Sequence, residues 1–579
     1  MNILIVGIDL GTTNSAIAVL VPDGPQLIPN ALGHLLTPSV VAIDKSGKLL
    51  VGQLAKDHQV LYPESSASCF KRYMGSDWST KLGKEKFDAV KLSSLILSAL
   101  KEDAATFLNQ EISRAVITVP AYFHDQQRQA TIEAGRIAGL QVERIINEPT
   151  AASMAYGVHE KDADRTVAVF DLGGGTFDLS IVDFFEGCIE VRASAGEAVL
   201  GGEDFTRALA RTVLSDQGVL FETAELKDPA MVSRLVQQCE IAKRELSKKD
   251  SADVILPGKK GVIDPENVNK TSIDRPFILR ACEPLFAKVE KPIRRALGDA
   301  KLTPDDLDEV ILVGGATRMP AIIDRVRAVF RHEPMGNINP DYVVALGAAI
   351  QAGLIEGNKA VEDTVVVDVA PFTLGVETSK EMGGEHKDGY FLPIINRNTV
   401  IPTSRSHRVG TVYPNQQQVA VRVFQGESRR TEDNFLLGSL DVTGIPRGPA
   451  GQEIEIRFTY DTNGVLEVEA TIVKTKKVAQ LVLTNKRSSL SAREIKAAVA
   501  AMQKLKTHPR EETANRFALK RAERLFEELP SDLRNALGRL LDYFESTLET
   551  QDPAQIDAAR LELQTFLSLY DRDEFPEVE

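Results

Sequence analysis

The stretch that most constrains this chain is VAVFDLGGGTFDLSI, residues 167 to 181. Val167, Val169 and Phe170 make an apolar run suited to a buried strand. The chain then turns at Gly173, Gly174 and Gly175, after which Leu179 and Ile181 alternate with polar neighbours. Glycines in such a turn permit φ > 0 and close approach of the backbone to a ligand, with amide N–H groups free to face an anion. Asp171 and Asp178 flank the turn, where carboxylates suit a hydrated divalent cation accompanying that anion. The same residues also fit a glycine-rich hairpin carrying two solvated aspartates. The N-terminus favours the phosphate reading, because it repeats the pattern. Ile3 to Ile8 is an apolar strand, followed by Asp9, Leu10, Gly11, Thr12, Thr13, Asn14 and Ser15, and then by a returning strand from Ala16 to Leu20. Asp-Leu-Gly thus falls twice at the same point of a strand–turn–strand, as a duplicated domain gripping one phosphate chain from two sides requires.

A chain of 579 residues is long enough for several domains with substantial cores. Its 43% hydrophobic and 26% charged content is that of an ordinary soluble globular protein. A net charge of −14 argues against a nucleic-acid partner, since no excess of Lys and Arg exists to neutralise phosphates. Cys69, Cys188, Cys239 and Cys282 are scattered without metal spacing, which suits a reducing compartment, and the eight histidines form no HExxH cluster. The first residues carry no basic segment, and no apolar run is long enough to span a bilayer. The expectation is a cytoplasmic protein without a membrane partner.

Up to about Gly357, strands and helices alternate, which favours an α/β architecture. Lys71, in CFKRYMG, has by residue type the character of a solvated side chain. Ala115 to Val119 is a strand stopped by Pro120, and AYFHDQQRQATIEAGRIAGL is a helix with Ala130, Ile137 and Leu140 on one face and Gly139 at its end. Glu148 starts a small-residue helix, AASMAYG, where it favours the macrodipole or orients a water for attack on phosphate. The residues alone favour the structural role. Gly201 and Gly202 open a helix begun by Glu203 and Asp204, and amides at such a start suit phosphate. Glu240, Lys243, Arg244 and Ser247 share a helix face and read as a salt-bridged exposed surface. Val310 to Val313 leads into Gly314, Gly315, Ala316, Thr317 and Arg318, another glycine turn before a helix. No GxxxxGK[ST] occurs, which excludes a P-loop enzyme.

In this order, IDLGTTNS, VPAYF, INEPTAA, DLGGGTFD, LGGEDF and LVGGATR resemble the seventy-kilodalton heat-shock chaperones (DnaK-like). They also resemble the wider actin and sugar-kinase superfamily, built on a duplicated ribonuclease-H-like core. FKRYMG and YPNQQQV are most similar to the HscC-like branch. The resemblance implies a multidomain protein: an α/β actin-like nucleotide-binding ATPase domain over 1–359, an interdomain linker over 360–368, a β-sandwich substrate-binding domain over 369–485 and an α-helical lid over 486–579. It implies ATP/ADP, Mg²⁺ and K⁺. Gly11, Thr12, Thr13 and Asn14, the turn Gly173 to Thr176, and Gly201 with Gly202 would then hold the β- and γ-phosphates. Asp9, Asp171 and Asp178 would organise the cations and their waters. Lys71, with Glu148, Asp171 and Thr176, would form the catalytic set around the attacking water. Glu240, Lys243, Arg244 and Ser247 would hold the adenosine, with Gly314, Gly315 and Arg318 on its other side. Two departures stand out. The segment 75–92 is shorter than in DnaK-like relatives, trimming one subdomain, and Glu197, Ala198 and Val199 replace the family's Asp-Thr-His.

AVEDTVVVD, residues 360 to 368, reads by pattern as a short buried strand, and by resemblance as the linker that docks when ATP is bound. Thr364, Val365, Val366 and Val367 replace a more leucine-rich run. Pro120 and Arg128 match the family's relay from nucleotide to linker, and Arg144 and Asp368 match positions used with J-domain partners. From Val369 the period becomes two. Val419, Val421 and Val423 alternate with other residues, and Ile454, Ile456, Phe458 and Tyr460 run into Asn463-Gly464, a hairpin signal in a compact β-sandwich. The resemblance makes this a peptide groove built from Val376, Thr378, Val409, Thr411, Val419 and Val421, with Ser379 and Val412 at the arch over it. From Ser491 the pattern is helical. Ser491 and Glu494 form a capping box, Ile495, Val499, Met502 and Leu505 share a face, and Pro509, Pro530 and Pro553 punctuate further helices. The implied function is an ATP-hydrolysing chaperone for unfolded peptides, with a J-domain co-chaperone and a nucleotide-exchange factor as partners. A small-molecule kinase of the same superfamily and an actin-like filament protein are the alternatives; the β domain and lid count against both.

Overall fold

The computed structural model describes residues 4–483 and 515–570, apart from 158–163, 186–187, 264–268, 336–337, 362–364, 384, 462–463, 516–517, 520, 523–524, 527–528, 530 and 551. Thr364, Asn463, Ser491, Glu494, Ile495, Val499, Met502, Leu505, Pro509 and Pro530 therefore lie outside the described residues.

The sequence repeat is a repeat of topology. In one sheet, Ile5–Asp9 runs parallel to Arg114–Val119 and antiparallel to Asn14–Val21, which pairs in turn with Gly24–Leu27. In another, Arg165–Leu172 runs parallel to Glu309–Val313 and antiparallel to Phe177–Phe185, which pairs with Cys188–Glu197. Each half is thus a three-strand meander with a parallel strand added on the far side of its first strand. Each sheet also contributes to its own core, one around Val6, Ile8, Val19 and Ile117, the other around Phe170, Leu179, Phe205 and Leu312. Burial on both faces explains the near-continuous apolar runs in these strands.

Between the halves pack two helices, Glu148–Gly157 and Val343–Glu356. Their small residues are a geometric requirement: a Cβ on Gly347 would lie 1.7 Å from the Ala151 carbonyl oxygen. This close crossing fixes where the first helix begins and so where Glu148 points. The helix expected after Pro120 covers Asp125–Ile137; Ala130 is buried, but Ile137 is its last residue and 49% exposed, because the chain leaves the sheet surface through Gly139 at φ +72°.

From Leu374 the structure is antiparallel. One sheet orders Glu385–Ile395, Leu374–Met382, Gln418–Gln425 and Phe435–Thr443; a second orders Thr403–Gly410, Glu453–Tyr460, Leu466–Ile472 and Val478–Leu483. Both feed one core holding Val376, Val423, Ile456, Phe458 and Val468, as the period of two demands. Two further helices, Ser531–Thr550 and Pro553–Tyr570, pack through Leu537, Phe544, Leu563 and Leu567. Among the described residues, no helix is long and apolar enough to cross a membrane.

Candidate functional site

Both glycine turns open on one cavity of about 630 Å³ between the two α/β halves. Of the residues singled out for phosphate, cation, catalysis and adenosine, all but Gly175, Gly201 and Asp178 line it. Those three stand just behind its wall. A Cβ on Gly201 would meet the Gly175 amide nitrogen at 2.3 Å, so the second turn and the following helix start are stacked backbone on backbone. Asp178 is buried and accepts a hydrogen bond from the Tyr122 amide at 3.2 Å.

The floor of the cavity is an excess of negative charge. Lys71, which composition would leave in solvent, is 3% exposed on a short turn of 3₁₀ helix, and its Nζ donates to Glu148 Oε1 at 2.6 Å. Asp171 and Asp178 are buried around this pair, and Asp9 is half-buried beside them. Burial, and then the Glu148 charge, push Asp9 and Asp178 up to about 7; the same causes, with Asp178 itself, raise Asp171. Four carboxylates share one ammonium here. A hard cation satisfies such a set, and among the described residues no three acidic, His or Cys side chains converge to ligate an ion directly. The fit is therefore to a hydrated cation shared with an anionic ligand.

On the opposite wall, Glu240 pairs with Lys243 at 2.6 Å and Arg244 at 2.7 Å, as the spacing suggested. Burial alone would raise the Glu240 carboxyl, but the two cations hold it down at about 2. Lys243 is buried rather than exposed, because its Nζ also reaches the Gly202 carbonyl at 2.9 Å, joining this wall to the phosphate-side turn. Arg318 is held by Asp341 and Asn339.

A chain of hydrogen bonds runs from beside the cleft towards the β half. Arg128 donates to the Phe123 and Ala121 carbonyls and to Asn147 Oδ1, next to Glu148, and Asn147 Nδ2 donates to Asp368 at 2.8 Å. Pro120 starts the turn that holds Phe123. Burial raises the Asp368 carboxyl, against the pull of Arg128 and Arg144; Arg144 itself bonds Gln351. Val365, Val366 and Val367 form the start of the strand Val365–Val369, parallel to Cys188–Glu190, and Asp368 and Val369 pair with Ile401 and Val400. This strand therefore stitches the second α/β sheet to the β half. Of the residues assigned to a peptide groove, Val376 and Val421 are core residues of the paired sheets. Thr411 is buried with its Oγ1 accepting from the Gln452 amide, and Thr378, Val409, Val412 and Val419 are half-buried.

Sequence reasoning missed the contacts that seat the β half. Asp299 takes a bidentate pair from Arg397 at 2.7 and 2.8 Å, Tyr122 packs on Phe372, and His124 stacks on Phe435 with ring centroids 4.3 Å apart. These partners are separated by about a hundred residues or more, and no local pattern announces them. His124 yields a pH test. Burial, and then the Arg128 charge, push its imidazole down to about 4 from the ordinary value of about 6.5. Docking is therefore fully supported above about pH 6.5 and loses that support as pH falls towards 4. Near pH 5 the docking equilibrium constant, followed by energy transfer between labels on the two halves, is expected to fall on the order of tenfold more in the parent chain than in His124→Asn. Parallel pH profiles for the two would contradict this.

A protein-family model described as "Hsp70 protein" matches residues 5–85 and 79–577. The chain is 41% identical over 586 residues to "Chaperone protein DnaK" of Thermotoga petrophila, covering 99% of this chain and 94% of that protein. It is 40% identical over 608 residues to "Chaperone protein DnaK 1" of a Synechococcus species, covering 97% and 79%. To "Chaperone protein DnaK" of Thermosipho melanesiensis it is 44% identical over 500 residues, covering 85% and 82%.

Proposed function

Because this chain belongs to the Hsp70 family, we propose that its cleft hydrolyses ATP while its paired β-sheets hold extended segments of unfolded proteins. The protein is an ATP-dependent chaperone and an ATPase that uses nucleotide and Mg²⁺, and its clients are unfolded proteins. A small-molecule kinase is not favoured. The finer assignments are our reading: an actin-like nucleotide domain over 1–359, a linker over 360–368, a peptide-binding β-sandwich over 369–485 and a lid over 486–579.

The observation that carries this reading is the pair of topologically equivalent hairpins facing one cavity whose floor holds Asp9, Glu148 and Asp171, with Asp178 behind them, around one ammonium. In our reading Thr12 and Thr13 grip the phosphates from one side, and the amides of Gly173 to Thr176 and of Gly201 and Gly202 from the other. Lys71, fixed by Glu148, positions the attacking water and stabilises charge on the γ-phosphate; Asp171 and Thr176 complete this set. Mg²⁺, held through water by Asp9, Asp171 and Asp178, neutralises phosphate charge, and K⁺ takes part in the same acidic floor. Glu240, Lys243, Arg244 and Ser247 hold adenosine against Gly314, Gly315 and Arg318. Arg144 and Asp368 receive a J-domain co-chaperone, an exchange factor reopens the cleft, the setting is cytoplasmic, and the HscC-like branch is the nearest kin.

ATP binding then favours the docked strand Val365–Val369, and peptide favours its release, so each site must affect the other by the same factor in affinity. The test is steady-state ATPase with and without an unfolded peptide. A rise of several-fold is expected, abolished in Val419→Phe, which fills a half-buried position of the groove. An ATPase indifferent to peptide would refute the coupling.

A further inference from the structure

We propose that Arg72 sets the closure of the cleft, as a positioning residue that ties one half of the α/β unit to both phosphate-facing turns of the other. The inference rests on the nucleotide reading of that cleft and deepens it. Arg72 follows Lys71 on the turn Phe70–Tyr73, and Phe70 is buried in the core of the first half. Its backbone belongs to that half. Its guanidinium crosses to the second, where Nε donates to the Gly175 carbonyl at 3.1 Å and Nη2 approaches the Gly174 carbonyl at 3.5 Å. Nη1 donates to Asp204 Oδ1 at 3.1 Å, and Nη2 donates to Asp204 Oδ2. Asp204 is itself fixed, since its Oδ2 accepts from the Gly201 amide at 2.8 Å.

One planar fork therefore fastens three segments: its own turn with Lys71, the glycine turn at 174–175, and the helix start at 201–204. The geometry is specific to guanidinium, because an ammonium offers no rigid set of donors matching two carbonyls and a carboxylate. The side chain is 12% exposed, so these charge-assisted bonds are shielded from water. Yet Arg72 does not line the cavity, whereas Lys71 does. A residue that holds both walls and touches no ligand acts on how far the walls part. Spreading the halves enough for a nucleotide to leave must break these bonds, so Arg72 governs exchange rather than the hydrolytic step.

The test uses the full chain and a fluorescent ADP. Release after a chase of unlabelled ADP, single-turnover hydrolysis of bound ATP, and the nucleotide-free melting temperature are each measured. Arg72→Ala is expected to release ADP about 10- to 100-fold faster, the scale of a lost hydrogen bond to a charged group. Hydrolysis of bound ATP is expected to change far less. Arg72→Lys keeps the charge and loses the fork, and its release rate is expected to lie near that of Arg72→Ala. Asp204→Asn keeps an acceptor for the Gly201 amide while weakening the fork; faster release in that variant supports the clamp even where Arg72→Ala folds poorly. Release at the parent rate in both Arg72→Ala and Asp204→Asn, or a lower melting temperature without faster release, overturns the clamp alone. A parent chain that retains no ADP overturns the nucleotide reading and the clamp with it.

Discussion

Lys71→Ala is expected to bind ATP nearly as well as the parent chain and to hydrolyse it about 100- to 1000-fold more slowly, the usual cost of removing one preorganised group from a transition state. The two halves of this expectation rest on different contacts. In the proposed reading binding draws on backbone amides in the two glycine turns and on the wall of Glu240 and Lys243, whereas Lys71 is bonded to Glu148 on the floor. On the same reading hydrolysis develops charge beside the floor, where Lys71 is buried and held at 2.6 Å from Glu148, with Asp171 and Asp178 buried and Asp9 half-buried around them. Without the ammonium, Glu148 faces Asp9 and Asp171 unscreened, and the field at the reacting phosphate turns repulsive. Single-turnover hydrolysis set against equilibrium binding of a fluorescent ATP separates the two effects. Hydrolysis surviving in this variant would remove Lys71 from the chemistry; loss of binding would make it a phosphate ligand instead. Glu148→Gln, which keeps a hydrogen-bond acceptor for Lys71, is expected to lose less.

What could be read from the sequence was what local geometry enforces. The hairpin at 167–181 announced itself because glycines at a turn between alternating apolar residues leave few other folds, and its echo at Asp9 to Ser15 shares that logic. Glu148 at a helix start was visible as well, though its role was not. A charge is placed at the cleft by the crossing of two small-residue helices, Ala151 against Gly347, and that crossing joins segments nearly two hundred residues apart. By residue type Lys71 reads as solvated and only the resemblance places it in the catalytic set, since burial of a lysine depends on partners that its neighbours in sequence do not reveal. Val376 and Val421 mark another limit: a period of two identifies strand positions that face a core, where both valines are buried, while their place at a peptide groove rests on the resemblance alone. Arg72 and Arg397 carried no pattern at all: each is one basic side chain whose acceptors come from another part of the fold.

Reversing the charge at Arg397 is expected to uncouple the two ends of the protein. Arg397 Nη2 and Nε contact the two oxygens of Asp299 at 2.7 and 2.8 Å, while Nη1 contacts Glu427 at 2.7 Å. Beside them, Asn398 donates to Asp299 and accepts from the Ser194 amide. Asp299 and Ser194 belong to the second α/β half, Arg397 and Asn398 to the loop before the strand that pairs with Val365–Val369. The cluster therefore exists only while the β half is seated. The pair is only part-buried, so removing one member costs towards the low end of the range for interfacial charge pairs, about 2 kcal/mol, and Arg397→Glu adds repulsion between carboxylates. A two-state docking equilibrium shifted by that amount moves from mostly docked to mostly released. ATP then has no docked state left to favour, and peptide affinity in ATP is expected to rise to the value measured in ADP, while in the parent chain the two differ. Peptide anisotropy titrations with each nucleotide make the comparison. The double variant Asp299→Arg with Arg397→Glu restores opposite charges and is expected to recover part of the difference, which separates loss of this contact from a damaged fold. If Arg397→Glu still released its peptide on adding ATP, the seating of the β half through Asp299 would have no part in the coupling.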